Sequence, residues 1–224
     1  VGAGRGSIAR WLAERVGPSG QVVAADLNPR LLHRVPFPPH VEVREHNILT
    51  QDLEVEQYDL VHCRALLANL PQPTVALERM AAAVRPGGWL CLEEYDFSPF
   101  GAIDPQYPGA AAFNQTFHAC LDALRAAGSF DSTFGRRLLT LIEGLGFTHI
   151  GAAGEVFLGK GGSHPLGRFW RLSLRVPGVE VLVERGVVTR EAFDQMCAFL
   201  DDPGFGLVGP IQFSVWGQRP SSGA

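Results

Sequence analysis

The sequence predicts an α/β fold built on a doubly wound, mostly parallel β-sheet. Short apolar runs alternate along the chain with segments that repeat apolar residues at helical spacing. The run at residues 21–26 is apolar almost throughout, as expected of a parallel strand covered on both faces. A glycine-rich turn opens the chain and leads directly into a helical pattern. Together these features favour an α/β domain that binds a ligand at its glycine turn.

Composition limits the classes of partner. The chain has 224 residues, 46% of them hydrophobic, and a net charge of −4, as expected of one globular domain. Its basic residues are scattered, whereas nucleic-acid binding requires a clustered basic face. No apolar run is long enough for a membrane span, and no signal peptide is visible. We therefore expect no nucleic-acid or membrane partner and a cytoplasmic protein with reduced cysteines.

The opening turn is the first candidate ligand site. It reads V-G-A-G-R-G-S, so that Gly2, Gly4 and Gly6 alternate before the helical pattern begins. Glycines allow the backbone to lie against a ligand because no Cβ intervenes, and a helix N-terminus presents unpaired N–H groups. Val1 is expected to be the last residue of a strand whose body is absent from the sequence.

Asp26 ends the strand predicted at residues 21–26, twenty positions after Gly6. An acidic residue at this position is placed to accept hydrogen bonds from the two ribose hydroxyls of a nucleoside. The dinucleotide fingerprint G-x-G-x-x-G is one interpretation, although Ser7 stands where its third glycine is expected. An NAD(P)-dependent oxidoreductase therefore stays open as an alternative.

The remaining elements follow in alternation. Asn28-Pro29 starts a short helix at 29–34, and R-P-G-G at 85–88 ends a helix at 72–84 because proline cannot continue it. Two helical insertions are expected at 97–132 and 159–205, with a helix at 110–126 in the first. Further strands are predicted at 41–46, 58–64, 89–96, 149–158 and 206–217, and a further helix at 133–145.

Four features resemble the class I S-adenosylmethionine methyltransferases of the small-molecule type. They are the G-x-G-x-G turn, Asp26, the strand Y-D-L-V-H-C-R at 58–64 and the R-P-G-G turn, in that order and at suitable distances. The resemblance implies one Rossmann-like domain over residues 1–224, with a seven-stranded sheet that is parallel except for a strand near the C-terminus. It also implies S-adenosyl-L-methionine as cofactor and insertions that form a lid over the acceptor.

The resemblance further implies a set of cofactor contacts. Asn47 stands where many relatives carry an acidic residue that bonds the adenine amino group, and its amide oxygen can accept the same bond. A turn residue that bonds its own backbone is the alternative. Leu27 and Ile48 would flank the adenine, and Arg64 would pair with the cofactor carboxylate unless it is a surface charge. The expected contact residues are Gly2, Ala3, Gly4, Gly6, Asp26, Leu27, Asn47, Ile48, Cys63 and Arg64.

Catalysis leaves a weaker sequence signal, because methyl transfer from a sulfonium mainly requires positioning in a dry pocket. A general base is needed only if the acceptor must lose a proton. Candidate bases are His62, His118 and Tyr95, or Asp96 in place of Tyr95; a packing role is the alternative for the two histidines. The acidic residues Glu93, Glu94 and Asp96 lack a second cluster that would complete a metal site, so no metal is expected.

The expected acceptor is a small apolar or aromatic molecule. Aromatic residues of the insertions either line its site or form ordinary core. The sequence leaves open the methylated atom, a monomer or homodimer, and a non-catalytic module that has kept the fold. The aromatic candidates are Phe100, Phe113, Phe117, Phe169 and Trp170.

Overall fold

A computed structural model describes residues 1–174 and 177–221 of the protein. Its strands are β1 (Val22–Asp26), β2 (Val41–Glu45), β3 (Tyr58–Arg64), β4 (Val84–Asp96), β5 (Gly101–Ala102), β6 (Thr148–Lys160) and β7 (Gly206–Gln218). Its helices are α1 (Ser7–Val16), α2 (Pro73–Ala83), α3 (Ala110–Ala126), α4 (Leu138–Gly144), α5 (Pro165–Leu174), α6 (Pro177–Glu184) and α7 (Arg190–Phe199). Within these ranges, no helix combines the length and apolar character needed to cross a bilayer.

The strands form two sheets rather than the single sheet that the sequence predicts. β1 and β2 pair in parallel, as do β3 and β4, whereas β7 runs antiparallel to β4, β5 and β6. Residues 1–3 lie between the two sheets without forming a strand. The Ala3 amide donates to the Ala25 carbonyl at 3.0 Å, and the Val1 nitrogen donates to the His62 carbonyl at 2.8 Å. These two hydrogen bonds place the C-terminal ends of β1 and β3 on either side of residues 1–3.

Two predicted helices differ from the structure. The helix expected at 29–34 is reduced to one α-helical hydrogen bond, from the His33 amide to the Pro29 carbonyl at 3.0 Å, and a 3-10 segment at Leu32–Arg34. Pro36 lies just beyond this segment and prevents the helix from continuing. The helix expected at 133–145 divides into a 3-10 segment, Phe134–Arg137, followed by α4. The helix of the first insertion lies where the sequence predicts it, at Ala110–Ala126.

The R-P-G-G segment does not form the predicted turn between helix and strand. β4 already begins at Val84, and its pairing with β3 shifts in register where these residues occur, as expected of a bulge. Gly87 has a φ of 77°, and its amide donates to the Arg219 carbonyl at 2.9 Å. The two glycines therefore shape a bulge that joins β4 to the C-terminal end of the chain.

The protein has two large hydrophobic clusters. The first packs one face of β3 and β4 against α2 and α4, with Leu90 and Leu92 fully buried. The second is aromatic and combines residues of both insertions, with the rings of Phe100 and Phe117 stacked 4.0 Å apart between centroids. The insertions at 97–132 and 159–205 thus pack against each other in one shared core. Burial of each such ring contributes roughly 1.5–3 kcal/mol relative to exposure.

We expect Gly135→Ala to destabilise the fold and Gly144→Ala to leave it intact. A Cβ on Gly135 would lie 2.8 Å from the Glu94 carbonyl oxygen, and the backbone of β4 cannot move aside cheaply. Overpacking of this kind costs about 1–3 kcal/mol. A Cβ on Gly144 meets no heavy atom within 4 Å, so alanine there leaves stability unchanged or raises it by up to about 1 kcal/mol. Urea unfolding of both variants measures the difference, and equal stabilities would contradict this account.

Candidate functional site

The three glycines of the opening turn have different roles, although all have positive φ angles of 55–75°. A Cβ on Gly6 would lie 2.6 Å from the Phe37 ring, and one on Gly2 would lie 3.0 Å from Leu66. Both positions are therefore needed for close packing within the protein. A Cβ on Gly4 would meet no heavy atom within 4 Å, and this residue is exposed. Gly4 is thus the position at which a ligand could approach the bare backbone.

Asp26 is held beside this turn by two backbone hydrogen bonds. The amide of Gly4 donates to Asp26 Oδ2 at 2.7 Å, and the amide of Asn28 donates to Oδ1 at 2.9 Å. A carboxylate offers about four acceptor positions, so it retains capacity for two further donors. The neighbouring Leu27 is 65% exposed. The structure therefore brings together Gly4, Asp26 and Leu27, which the sequence predicts as parts of one site.

The structure places Asn47 in a turn. Its side-chain Oδ1 accepts a hydrogen bond from the Leu49 backbone amide at 3.0 Å, and its backbone amide donates to Gln51 Oε1 at 2.7 Å. This is the turn role that the sequence analysis left open as the alternative. The Ile48 side chain is only 5% exposed and packs in the core below β3 and β4, and its contact with the adenine stays a prediction. Any ligand contact by Ile48 would be made by its backbone.

Cys63 and Arg64 end β3 on opposite faces of the sheet. The Cys63 side chain is fully buried, and burial raises the pKa of its thiol to about 12. Its predicted ligand contact therefore has no exposed side chain to make it. Arg64 reaches the start of α1, where its Nη2 lies 3.5 Å from Ser7 Oγ, and its Nε lies 3.7 Å from Glu93 Oε2. Arg64 is thus the residue of this pair that lies beside the turn.

Hydrogen bonds to the Glu94 side chain hold the loop that follows β3 in place. This side chain is 1% exposed, and its Oε1 accepts the amides of Leu66 at 2.8 Å and Leu67 at 2.6 Å. Burial raises the pKa of Glu94 to about 7, although the backbone hydrogen bonds act in the opposite direction. The sequence alone identified Glu94 only as one member of an acidic group at the end of the strand predicted at 89–96. Glu94 instead positions the loop that contacts Gly2 through Leu66.

A cavity of about 260 Å³ lies at the other end of this loop. Asn69 lines it, so a single 3-10 turn at Leu67–Asn69 separates the cavity from the Leu66 contact with the glycine turn. Asn69 is not among the site residues that the sequence predicts. The feature of the sequence that could have suggested it is its position in the loop after the strand predicted at 58–64. The full lining consists of Asn69, Phe97, Phe117, Cys120, Leu121, Leu124, Phe130, Trp170, Ser173 and Leu174.

The aromatic candidates from the sequence divide into three groups. Phe117 and Trp170 line the cavity. Phe100 and Phe113 are each 1% exposed and belong to the aromatic core, as the packing alternative predicts. Phe169 is 57% exposed and does not line the cavity. Helical spacing could not separate these groups, because it fixes the face of a helix but not what covers that face.

None of the three candidate bases lines the cavity. His62 Nε2 lies 3.7 Å from Glu93 Oε2, and its pKa is lowered to about 4, first by burial and also by the positive charge of Arg64. Burial raises the pKa of Tyr95, whose ring packs against Phe97. The ring Nε2 of His118 lies 2.9 Å from the Phe100 carbonyl oxygen. The contacts of His62 and His118 therefore support the packing role that the sequence left open for them, and the Tyr95 ring also packs against a neighbouring aromatic residue.

Asp96, the last residue of β4, also has hydrogen-bond partners within the protein. It is 2% exposed and accepts hydrogen bonds from the Ser98 amide and the Arg136 guanidinium. Burial tends to raise the pKa of Asp96, but these hydrogen bonds outweigh it and lower the pKa below its usual value. Among the residues that the structure describes, no group of three His, Cys, Asp or Glu side chains is arranged to hold a metal ion.

Comparison with known proteins agrees with this geometry. Residues 1–90 match the family model described as "Methyltransferase domain". Methyltransferase str2 of Strobilurus tenacellus is 34% identical over 145 residues, which cover 64% of this chain and 50% of that protein. The expected resemblance to the class I methyltransferases is confirmed. A ubiquinone biosynthesis O-methyltransferase of Xanthomonas euvesicatoria is 34% identical over 107 residues, covering 44% of this chain and 43% of that one. The chain thus spans about half the length of these methyltransferases.

Solved structures confirm the Rossmann-like methyltransferase fold. A provisionally named methyltransferase of Bacillus halodurans C-125 has a TM-score of 0.61 at 16% identity, covering 98% of this chain and 90% of that one. A Haemonchus contortus phosphoethanolamine N-methyltransferase 2, solved with S-adenosyl-L-methionine, has a TM-score of 0.55 at 14% identity, covering 99% and 47%. The [4+2]-cyclase SpnF has a TM-score of 0.52 at 14% identity, covering 99% and 73%. Because a cyclase shares the fold, the fold alone does not determine the reaction.

Glu94→Gln should remove a pH dependence of stability while keeping the acceptor for the loop amides. The pKa of Glu94 rises from 4.5 to about 7 on folding, so the native carboxyl holds its proton more tightly than the unfolded one. Its contribution to stability is therefore complete below about pH 4.5 and is lost as the pH rises to about 7. Relative to the unaltered protein, the variant should gain about 1–3 kcal/mol across this window.

Urea unfolding at a series of pH values measures this effect. Glu143→Gln, at an exposed position of α4, serves as the control and should leave the pH profile unchanged. A Glu94→Gln profile parallel to that of the unaltered protein would show that the carboxyl does not titrate in this range.

Proposed function

We propose that the chain binds S-adenosyl-L-methionine and transfers its methyl group to a small apolar or aromatic molecule. The observation that carries the proposal is the joined arrangement of Gly4 and Asp26. The exposed Gly4 backbone faces open space, while its amide fixes a carboxylate that still has free acceptor positions. These are the properties required of a site that takes a nucleoside against the backbone and holds its ribose by two hydroxyls.

Several residues of this chain fit the cofactor. Asp26 would accept the ribose hydroxyls, and Leu27, which is 65% exposed, would lie against the adenine. Asn47 Oδ1 accepts one backbone amide and has a second lone pair, with which it would accept the hydrogen bond from the adenine amino group. Arg64, beside Ser7 at the start of α1, would pair with the carboxylate of the methionine part. Two of the predicted contacts, Cys63 and Ile48, would be limited to backbone atoms.

The cofactor, when bound, would supply a methyl group that is activated by the positively charged sulfonium. The remainder of the cofactor after the transfer is S-adenosylhomocysteine. The chain's own residues would then orient the acceptor and exclude water. Glu94 would keep the loop after β3 in place between the glycine turn and the cavity. Because none of His62, Tyr95 and His118 lines this cavity, we infer an acceptor that reacts without proton transfer to one of them.

Other features belong to the same proposal. We infer one domain, in which residues 1–3 join the β1–β2 sheet to the sheet that contains β3, and in which the two insertions cover the acceptor. A cytoplasmic location is supported by the buried free thiols of Cys63 and Cys120. Monomer and homodimer are both compatible with these features.

The oxidoreductase and the non-catalytic module are distinguished from this proposal by direct measurement. The family match and the curated relatives named above favour a methyltransferase over a dehydrogenase. A thermal-shift comparison should show stabilisation by S-adenosylhomocysteine and none by NAD. Binding without formation of S-adenosylhomocysteine from any acceptor in a broad panel would instead support a module that keeps the fold without its reaction.

Asp26→Ala should lower the affinity for S-adenosylhomocysteine by about 100-fold or more, and Asp26→Asn by about 10-fold. Each hydrogen bond to a charged group contributes about 1.5–3 kcal/mol, and asparagine keeps the acceptor while losing the charge. Isothermal titration calorimetry measures the affinities. Asp59→Ala is the control, because that side chain is 81% exposed and its ion-pair partner is the exposed Arg85. A folded Asp26→Ala variant that binds as tightly as the unaltered chain would falsify the proposed nucleoside site.

Gly4→Ala should weaken binding at least about tenfold, whereas Gly128→Ala should not. Both glycines are exposed, have φ angles of 55° and 66°, and have no atom within 4 Å of an added Cβ. Alanine therefore introduces a comparable backbone strain of about 1–2 kcal/mol at each. Only at Gly4 would the new methyl group stand between backbone and ligand. Melting temperatures and calorimetric affinities of both variants separate these effects, and equal affinities would count against a ligand at Gly4.

A further inference from the structure

Arg64 and Glu93 lie side by side at the carboxyl ends of two neighbouring strands. They are register partners in the parallel pair of β3 and β4, so their side chains lie on the same face of the sheet. Arg64 Nε is 3.7 Å from Glu93 Oε2. The register of the two strands therefore brings a guanidinium and a carboxylate together next to the proposed cofactor turn.

The Glu93 carboxylate is mostly covered by the protein. Its side chain is 20% exposed, and its Oε2 atom is buried and accepts no hydrogen bond from the residues that the structure describes. A charge in such surroundings is strongly unfavourable unless a partner charge lies nearby. Because Oε2 is buried, it acts on neighbouring side chains and not directly on a ligand.

Two side chains lie close to this oxygen atom. His62 Nε2 is 3.7 Å from Oε2, and Arg64 Nε is at the same distance. The pKa of His62 is lowered to about 4, first by burial, so that this ring is neutral near pH 7. An arginine side chain, by contrast, is charged at every physiological pH. Of these two neighbours, Arg64 is therefore the one that supplies the positive charge for Glu93.

The Arg64 guanidinium contacts the protein at two of its nitrogen atoms. Its Nε faces Glu93, whereas its Nη2 lies 3.5 Å from Oγ of Ser7, the first residue of α1. Arginine has many rotamers, and fixing them in advance lowers the entropy that is lost when a ligand binds. A guanidinium has five N–H donors, so these two contacts leave donors for a carboxylate of the cofactor.

We propose that Glu93 is a positioning residue, which holds Arg64 beside the glycine turn so that Arg64 can bind the carboxylate of the cofactor's methionine part. The inference rests on the proposed function, which assigns that carboxylate to Arg64, and it adds a residue that acts through Arg64 alone. The negative charge of Glu93 also repels a second carboxylate. Positioning predicts weaker cofactor binding when the charge of Glu93 is removed, whereas repulsion alone predicts the reverse.

Two related ligands isolate the carboxylate contact without requiring any methyl transfer. S-adenosylhomocysteine carries the carboxylate, whereas its decarboxylated analogue, S-adenosyl-3-thiopropylamine, keeps the adenosine and the amino group. Titration calorimetry of the unaltered protein should show S-adenosylhomocysteine binding about tenfold or more tightly, as expected for a hydrogen bond between charged groups. The ratio of the two affinities reports the carboxylate contact, because a general loss of structure weakens both ligands alike.

Glu93→Gln should lower this ratio about three- to tenfold and leave the affinity for the analogue nearly unchanged. Glutamine keeps the shape of the side chain but removes the charge that holds Arg64. Glu42→Gln is the matched control, since Glu42 Oε1 lies 2.7 Å from Arg44 Nε in an ion pair on β2 that belongs to no proposed site. It should leave the ratio unchanged.

Arg64→Ala should lower the ratio to about one, and the addition of Glu93→Gln should not lower it further. Contacting residues that act through each other have such non-additive effects. If Glu93→Gln does not fold, Glu93→Asp replaces it, because the shorter side chain keeps the charge and moves it away from Arg64. That variant should also lower the ratio.

Three results would overturn the proposal. They are a ratio near one in the unaltered protein, an unchanged or raised ratio in the Glu93 variant that folds, and a further loss when Glu93→Gln is combined with Arg64→Ala. Failure of the proposed function is recognised separately, because neither ligand would then bind to the unaltered protein, and this inference would fail with it.

Discussion

The hydrogen bond from the Gly4 amide to the Asp26 carboxylate is the contact on which the candidate site depends. It joins the turn before α1 to the carboxyl end of β1, two segments that are distant in sequence. Because Asp26 also accepts the Asn28 amide, its carboxylate is fixed on both sides. A carboxylate held in this way by backbone donors loses little side-chain entropy when a ligand binds, which favours affinity.

A buried carboxyl of the other sheet, that of Glu94 on β4, also accepts hydrogen bonds from backbone amides. Glu94 fixes the loop after β3 through two amides, and that loop lies between the glycine turn and the aromatic cavity. The two carboxyl groups differ in their surroundings. Asp26 lies at the edge of the protein, where it keeps access to a ligand, whereas Glu94 is enclosed and serves the backbone alone. We therefore assign these two acidic side chains different roles, the proposed binding of a ligand by Asp26 and the positioning of a loop by Glu94.

The shared aromatic core explains how two separate insertions can define one cavity. Phe97 and Phe117 come from the first insertion and Trp170 from the second, and all three line the cavity. Since the insertions bury their apolar faces against each other, the position of either depends on the other. Cavity shape is therefore a property of both segments. A substitution in the aromatic core would therefore change the shape of the cavity even where it touches no lining residue.

The sequence by itself determined the α/β alternation, most element bounds, the glycine turn and the choice of Asp26, because these depend on local backbone preferences and on short-range spacing. It could not determine that Cys63 and Ile48 face the core, that R-P-G-G forms a bulge, or which aromatic rings line the cavity. Those outcomes depend on which elements pack together, and β7 decides much of this by lying between β4 and β6. Local patterns specify what each segment can become, whereas only long-range packing decides which of its side chains remain available to a ligand.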